Sequence, residues 1–541
     1  MLQGTPILVL REGTERERGK SATSNNIAAA RAIADAVRST LGPRGMDKML
    51  VDSMGDITIT NDGVTILKEV DVEHPAAKML VEVAKTQDQQ CGDGTTTAVV
   101  LAGELLKRSE SLLEQGVHPT VITRGFQLAV QEAKRLLDTE IGTPVTPGDE
   151  AILVDCARTA MGSKGVYGSR EELARIAVKA VQKIAEERGG KMICDVDQIK
   201  VEKRHGGTIS DTELIDGIVL DKERGHPRMP SEVLNAKIAL LNSALEVKKT
   251  EIESKINIKN PSQIQSFLDE EDKTFRRMVD AIKASGANVV VCQKGIDDVV
   301  LHYLAKDGIY AVKQVKESDL QKLARATGGK IVTGIKELSA SDLGTAAKVD
   351  ERKVGEDDMT YVTGCSNPRS VSILIRGGTE HVTQEVERSL HDALKVVASV
   401  IEDGVVCPGG GATEIDLAVK LRKWAGTVGG REQLAVEAYA QSLESIPWAL
   451  AENGGYDSIN VLIELRSAHD GPGANKNVGV NLVDGKAADM WKLRVIEPAR
   501  VKRQALNSAA EVANMVLRID DVIASKKSSP SPPGGGGGHD H

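Results

Sequence analysis

The sequence predicts a multi-domain protein of mixed α and α/β character, in which a mainly helical, discontinuous domain is assembled from both ends of the chain around a central α/β part. Three observations predict it. At 541 residues the chain exceeds what one hydrophobic core supports, so about three or four domains are expected. Helical periodicity dominates both ends. In the middle, short β-branched or aliphatic segments alternate with helical patterns, the signature of an α/β unit with a buried sheet.

Along the chain, alanine-rich helical periodicity over 25–41 stops at Gly42-Pro43. Residues 57–60 alternate like a strand and run into Asn61-Asp62-Gly63, which reads as a hairpin turn. Long helices are expected over 76–89 and 96–113, and the Pro- and Gly-bearing stretch 143–148 marks a boundary. A second helical region follows over 149–188. The texture changes near Lys200, with strand-like segments at 216–220, 236–241 and 287–291. Strand character returns at 371–376, after which Thr379 caps a helix reaching Ile401. From Val405 onward the pattern is helical again. No repeat of solenoid period is present, and residues 525–541, with five consecutive glycines, are expected to be disordered.

Residues 245–283 stand apart, with sixteen charged residues, eight of each sign. Asn260 and Pro261 make an N-cap and N1 pair, and apolar positions from Ile264 to Ile282 recur at helical spacing. Met278 to Ile282 read as core; Phe267 and Leu268 read as a protruding tip that meets another surface.

Composition excludes several functions. A net charge of −9 disfavours a nucleic-acid partner, and 2% aromatic residues leave few platforms for stacking bases. No apolar run approaches the length of a membrane span, and the first residues lack the basic and apolar regions of a secretory signal. Six scattered cysteines form no C-x-x-C pair, which points to a reducing, cytoplasmic compartment.

The run Cys91-Gly92-Asp93-Gly94-Thr95-Thr96-Thr97 carries the chemistry. Small residues let backbone amides approach an anion, and the helix that follows adds positive partial charge. An acid there fits Mg²⁺ held between its carboxylate and phosphate oxygens; a simple helix N-cap is the plainer alternative. Two further glycine turns adjoin helices, at 41–48 and 408–414. No P-loop is present. On sequence alone, Asp62 is a turn residue, Asp392 a surface carboxylate of its helix, and Lys164 a solvated loop lysine. A small-molecule kinase with a non-Walker site would explain the loops but not the protrusion; a scaffold that binds apolar surfaces without turnover is the third reading.

The words TLGPRGMDKML (40–50), ITNDGVTIL (59–67), EHPAAKML (73–80), GDGTTT (92–97) and LRIDDVI (517–523) closely resemble those of group II chaperonins. The resemblance spans essentially the whole chain. It implies an ATP-dependent chaperone that captures non-native proteins and encloses them in a double ring of identical or related subunits, driven by Mg-ATP hydrolysis, with no nucleic-acid or membrane partner. It implies an equatorial domain from 1–145 and 405–524, an intermediate hinge from 146–215 and 370–404, and an apical α/β domain over 216–369 with a built-in lid at 245–283. Terminal strands around 6–10 and 518–523 would join neighbouring subunits.

Position by position, the resemblance gives nucleotide contacts to Leu41, Gly42, Pro43, Asn61, Gly94, Thr95, Thr96 and Thr97, and Mg²⁺ to Asp93. Gly410, Asn481 and Glu497 would meet the sugar and base. Asp62 and Asp392 would orient the attacking water, and Lys164 would sense the γ-phosphate. Cys91 stands where a larger aliphatic residue is usual.

Overall fold

A computed structural model describes residues 14–165, 168–246, 261–367 and 369–525. The strand expected around 6–10, the first half of the lid stretch (247–260) and the tail from 526 lie outside the described residues, as do the side chains of Phe267 and Leu268.

Five helices open the chain: α1 (Gly19–Arg38), α2 (Gly63–Glu69), α3 (Pro75–Cys91), α4 (Thr95–Glu114) and α5 (Pro119–Leu136). Prolines at N1 begin α3 and α5 at no cost in hydrogen bonds. Leucine, alanine and valine at helical spacing bury Leu80, Leu101, Leu105 and Phe126 in one core. Between α1 and α2 a hairpin pairs Lys48–Val51 with Ile57–Thr60. Asn61-Asp62-Gly63 is not its turn. Asp62 instead caps α2, accepting from the Thr65 amide at 3.0 Å, because a carboxylate satisfies an orphan helix N–H at once.

Helices α6 (Glu150–Ala160) and α7 (Arg170–Ile184) begin a second core. It includes a three-stranded sheet whose centre, Ser372–Gly377, runs parallel to Lys200–His205 and antiparallel to Glu213–Ile215.

The third part is a seven-stranded mixed sheet. Its strand Glu232–Leu241 lies parallel to Val289–Cys292 and antiparallel to Gly344–Val354. Side chains alternate to two faces, and each face has its own core. Helices α8 (Pro261–Ser285), α9 (Asp298–Lys306) and α10 (Glu317–Thr327) cover them. Phe275, Val279 and Ile282 of α8 are buried against the sheet, as the periodicity predicts.

The 24-residue α11 (Glu380–Asp403) returns the chain to the second core. Then α12 (Ala412–Val428), α13 (Glu432–Leu443), α14 (Ser445–Asn453), α15 (Ser458–His469) and α16 (Ala499–Leu517) follow; all but α15 contribute buried side chains to the first core. This last stretch is not purely helical. Val405–Pro408 pairs with Ile496–Pro498 and Thr143–Pro144, and Val478–Asn481 pairs with Lys486–Asp489. Asp521–Ser525 pairs with Thr14–Arg18, joining the two ends of the described chain. No helix among the described residues is long and apolar enough to cross a membrane.

Candidate functional site

A cavity of about 610 Å³ opens between the first and second cores. Its wall includes Leu41, Gly42, Pro43, Asn61, Asp62, Asp93, Gly94, Thr95, Thr96, Thr97, Lys164, Asp392, Gly410, Asn481 and Glu497. Residues from eight separate stretches of sequence thus face one space. Phe267 and Leu268 lie on α8, on the third part of the molecule.

The turn between α3 and α4 is built for close approach. Gly92 and Gly94 adopt left-handed backbone conformations, φ 72° and 77°, which a side chain would strain. Gly94 is the N-cap of α4, and the Asp93 carboxylate accepts from its amide at 2.6 Å. Buried Gln87 donates to the Asp93 carbonyl at 2.9 Å and to the Val501 carbonyl at 3.2 Å, tying this turn to α16. Gly63 must lack a side chain, since a Cβ there would come within 2.6 Å of Thr96 Oγ1.

Across the cavity, buried Lys164 bridges two acids. Its Nζ lies 3.2 Å from Asp392 Oδ2 and 3.6 Å from Asp62 Oδ1. Asn61 donates to the Ser163 carbonyl and so fixes the turn that carries the lysine. Asp392 departs from the surface position its helical spacing predicts. Because α6, α7, α3 and α16 all pack against α11, even its polar stripe is enclosed, burying Ser389 and Asp392. Burial alone would push the Lys164 pKa down, but the Asp392 and Asp62 charges push it up, so the ammonium is fixed. Burial raises Asp392 despite Lys164. Asp62 stays below the ordinary carboxylate value: burial works the other way, but Lys164 and the Thr65 hydrogen bonds outweigh it.

At the opposite end, Gly410 (φ 60°) and Gly411 (φ 77°) lead into α12. A Cβ on Gly410 would meet Met490 Sδ at 2.5 Å. Asn481 ends its strand, its Oδ1 accepting from the Val483 amide at 3.1 Å. Glu497 pairs with buried Lys502, which also lies 2.8 Å from Glu414.

The donor set fits a hard divalent cation. Burial, together with the Asp392 and Glu497 charges, pushes Asp93 up to about 7, so the site favours a positive charge beside it. Threonine hydroxyls and the α4 N-terminus line the adjoining wall, as a shared cation and anionic oxygens require. The Asn61 Oδ1 atom is buried without a hydrogen-bond partner among the described residues, a further polar atom in the same wall.

Gln87, Glu414 and Lys502 escaped sequence reasoning, each being a single polar residue inside an otherwise ordinary helix. Their only sequence signal is a charged or amide side chain at a position whose helical neighbours are apolar, which is weak.

Residues 33–527 match the model of the TCP-1/cpn60 chaperonin family. The chain is 61% identical to thermosome subunit alpha of Thermoplasma acidophilum, over 96% of this chain and 95% of that one. It is 58% identical to thermosome subunit beta of Archaeoglobus fulgidus, over 97% and 96% respectively. Among solved structures it is similar to the open-state monomer of a group II chaperonin from Methanococcoides burtonii. That match has TM-score 0.62 and 47% identity, covering 79% of this chain and all of that one.

Proposed function

Since this chain belongs to the TCP-1/cpn60 chaperonin family, we propose that the cavity binds ATP with Mg²⁺ and hydrolyses it as the second core closes over the first. The protein is an ATP-hydrolysing chaperone of the thermosome type, one that assembles with related subunits and acts on substrate proteins. The observation that carries the site reading is the Lys164 bridge, whose two acids come from different cores, above the Asp93–Thr97 turn.

In this reading the triphosphate lies along the α4 N-terminus, where Gly94 leaves room for its approach and Thr95, Thr96 and Thr97 receive its oxygens. Asp93 would hold Mg²⁺, which when bound would supply neutralisation of charge on the transferring phosphoryl group. Asp392 and Asp62 orient the attacking water; a carboxylate positions water better than it deprotonates it. Lys164 faces the terminal phosphate and holds both acids meanwhile. Leu41, Gly42, Pro43 and Asn61 border the nucleotide, with Gly410, Asn481 and Glu497 at its sugar and base.

We read the three cores as the equatorial, intermediate and apical domains of the family, within 1–145 with 405–524, 146–215 with 370–404, and 216–369. Asp392 sits on the intermediate part, so hydrolysis requires that part to be swung down, which couples chemistry to shape. Neighbouring subunits stack into a double ring, with the lid of each apical part closing over the client, in the cytoplasm. Two features support assembly. Thr14–Arg18 with Asp521–Ser525, and the hairpin 48–60, are two-stranded sheets whose edges are open among the described residues. The hairpin also exposes Met49, Val51, Met54 and Ile57, an apolar patch that a partner would cover.

Asp392→Ala tests the site. Equilibrium ATP binding is expected to persist while phosphate release falls at least about 100-fold; normal release would overturn the assignment.

A further inference from the structure

Helix α11 brings more than Asp392 to the cavity. One turn on, Lys395 reaches across to the end of α3, and its Nζ donates to the Asp88 carbonyl at 2.9 Å and the Gln89 carbonyl at 3.3 Å. These are last-turn carbonyls at the negative end of the helix dipole, so a cation is the fitting cap; the Asp88 carbonyl also accepts from the Gly92 amide at 2.9 Å, and the lysine uses its remaining lone pair. The contact is close along its whole length. A Cβ on Gly92, the C-cap of α3, would lie 2.6 Å from Lys395 Cβ and 2.8 Å from its Cδ. Gly92 is therefore required twice: by its left-handed backbone and by the lysine stem lying across it. On the same side of α11, ligand atoms of His391 and Asp392 come within 4.8 Å of the Asp88 carboxylate. The next residue after Gly92 is Asp93.

We propose that Lys395 is a positioning residue for hydrolysis: it seats α11 on the end of α3 and so sets Asp392 at a fixed offset from the turn that carries Asp93. The inference rests on the site reading above and deepens it. Asp392 and Lys395 are three residues apart and share one face of α11, so any movement that lifts the helix breaks both contacts together. The lysine meets main-chain carbonyls, so its grip depends on where α3 ends and not on the side chain at position 88 or 89. Its two acceptors lie beside the cavity but outside its wall, which separates its role from nucleotide binding.

The test uses the full chain in its assembled form. Lys395→Met keeps the stem that covers Gly92 and removes the charged donor. Its kcat is expected to fall about tenfold with ATP affinity within about twofold of the parent. Lys395→Arg, which still donates, should recover most of the turnover, and the melting temperature of both should stay near the parent's. Turnover of Lys395→Met within about twofold of the parent would overturn the proposal, as would a parallel loss of binding and turnover. Lys395→Gln provides a second reading, expected between Met and Arg. Asp392→Ala, measured alongside, separates the two levels. If it is inactive while Lys395→Met is normal, only the role of Lys395 fails; if it hydrolyses ATP normally, the site reading fails and this proposal with it.

Discussion

Two buried lysines face this cavity, each between two carboxylates, yet they sit in different mechanical settings. Lys502, on α16, joins Glu414 of α12 to Glu497 just before α16, all within the part of the chain that returns to the first core. Lys164, after α6, joins Asp62 at the start of α2 to Asp392 in the middle of α11, and so spans the first and second cores. Both ammonium groups are held charged by their acids against the effect of burial. The Lys164 contacts are looser, at 3.2 and 3.6 Å. The same chemistry thus serves as a tie inside one core and as a link between two, which the proposed closure would make separable.

The largest expected effect breaks the tie inside one core. Lys502→Met leaves buried Glu414 and half-buried Glu497 without a cation, and removing one partner of a buried ion pair costs about 3–5 kcal/mol. One Glu414 oxygen already lacks a hydrogen-bond partner among the described residues, so little can compensate. A clear drop in melting temperature is expected, partly reversed when Glu414→Gln is added. An unchanged melt would mean that the two triads are alike in being dispensable to the fold.

Lys164→Met is expected to act on turnover instead. Loss of a charge aimed at the reacting group costs on the order of 100-fold, read as phosphate release at saturating ATP. Asp62 keeps its Thr65 hydrogen bonds and both stranded acids line the cavity, whereas Glu414 does not, so the melt should move less than for Lys502→Met. A larger loss of stability than of turnover would erase the contrast between the two lysines.

What was legible in the sequence follows the same division. Residues 92–97 and 41–45 are local words, in which glycines and short polar groups sit where the backbone must turn, and their meaning survives without tertiary context. Asp392 was legible only through the resemblance, because helical spacing places it on a polar stripe and only the helices packed around α11 enclose it. Lys502, Glu414, Gln87 and Lys395 act through partners on other elements far away in sequence, which no spacing encodes. The strands Val478–Asn481 and Lys486–Asp489 were missed for another reason. Their Gly, Asn, Lys and Asp residues have weak strand preference, and pairing is held instead by neighbours such as the Val480 amide donating to the Gly410 carbonyl at 2.9 Å. Asp62 shows the reverse case, a strong local turn signal that the chain uses as a helix cap.

The smallest effect separates the two acids on Lys164. Asp62 lies below its ordinary carboxyl pKa, because Lys164 and Thr65 outweigh burial, whereas burial holds Asp392 above it. With an unfolded value of about 3.9, Asp62 contributes stability that is present above that pH and lost as pH falls through its lower folded pKa. Asp392 has the opposite sign: its contribution is full below about 3.9 and is lost as pH rises through its higher folded value. Descending from neutral pH, Asp392 therefore takes up its proton first. The contact with Lys164 loses its ionic character on the α11 side while the Asp62 side stands. Steady-state hydrolysis should accordingly decline at a higher pH than the melting temperature does, and Asp62→Asn should flatten only the acid limb of the melt. Turnover and melting that fall together at one pH would mean the two acids are not distinguished by the joint at all.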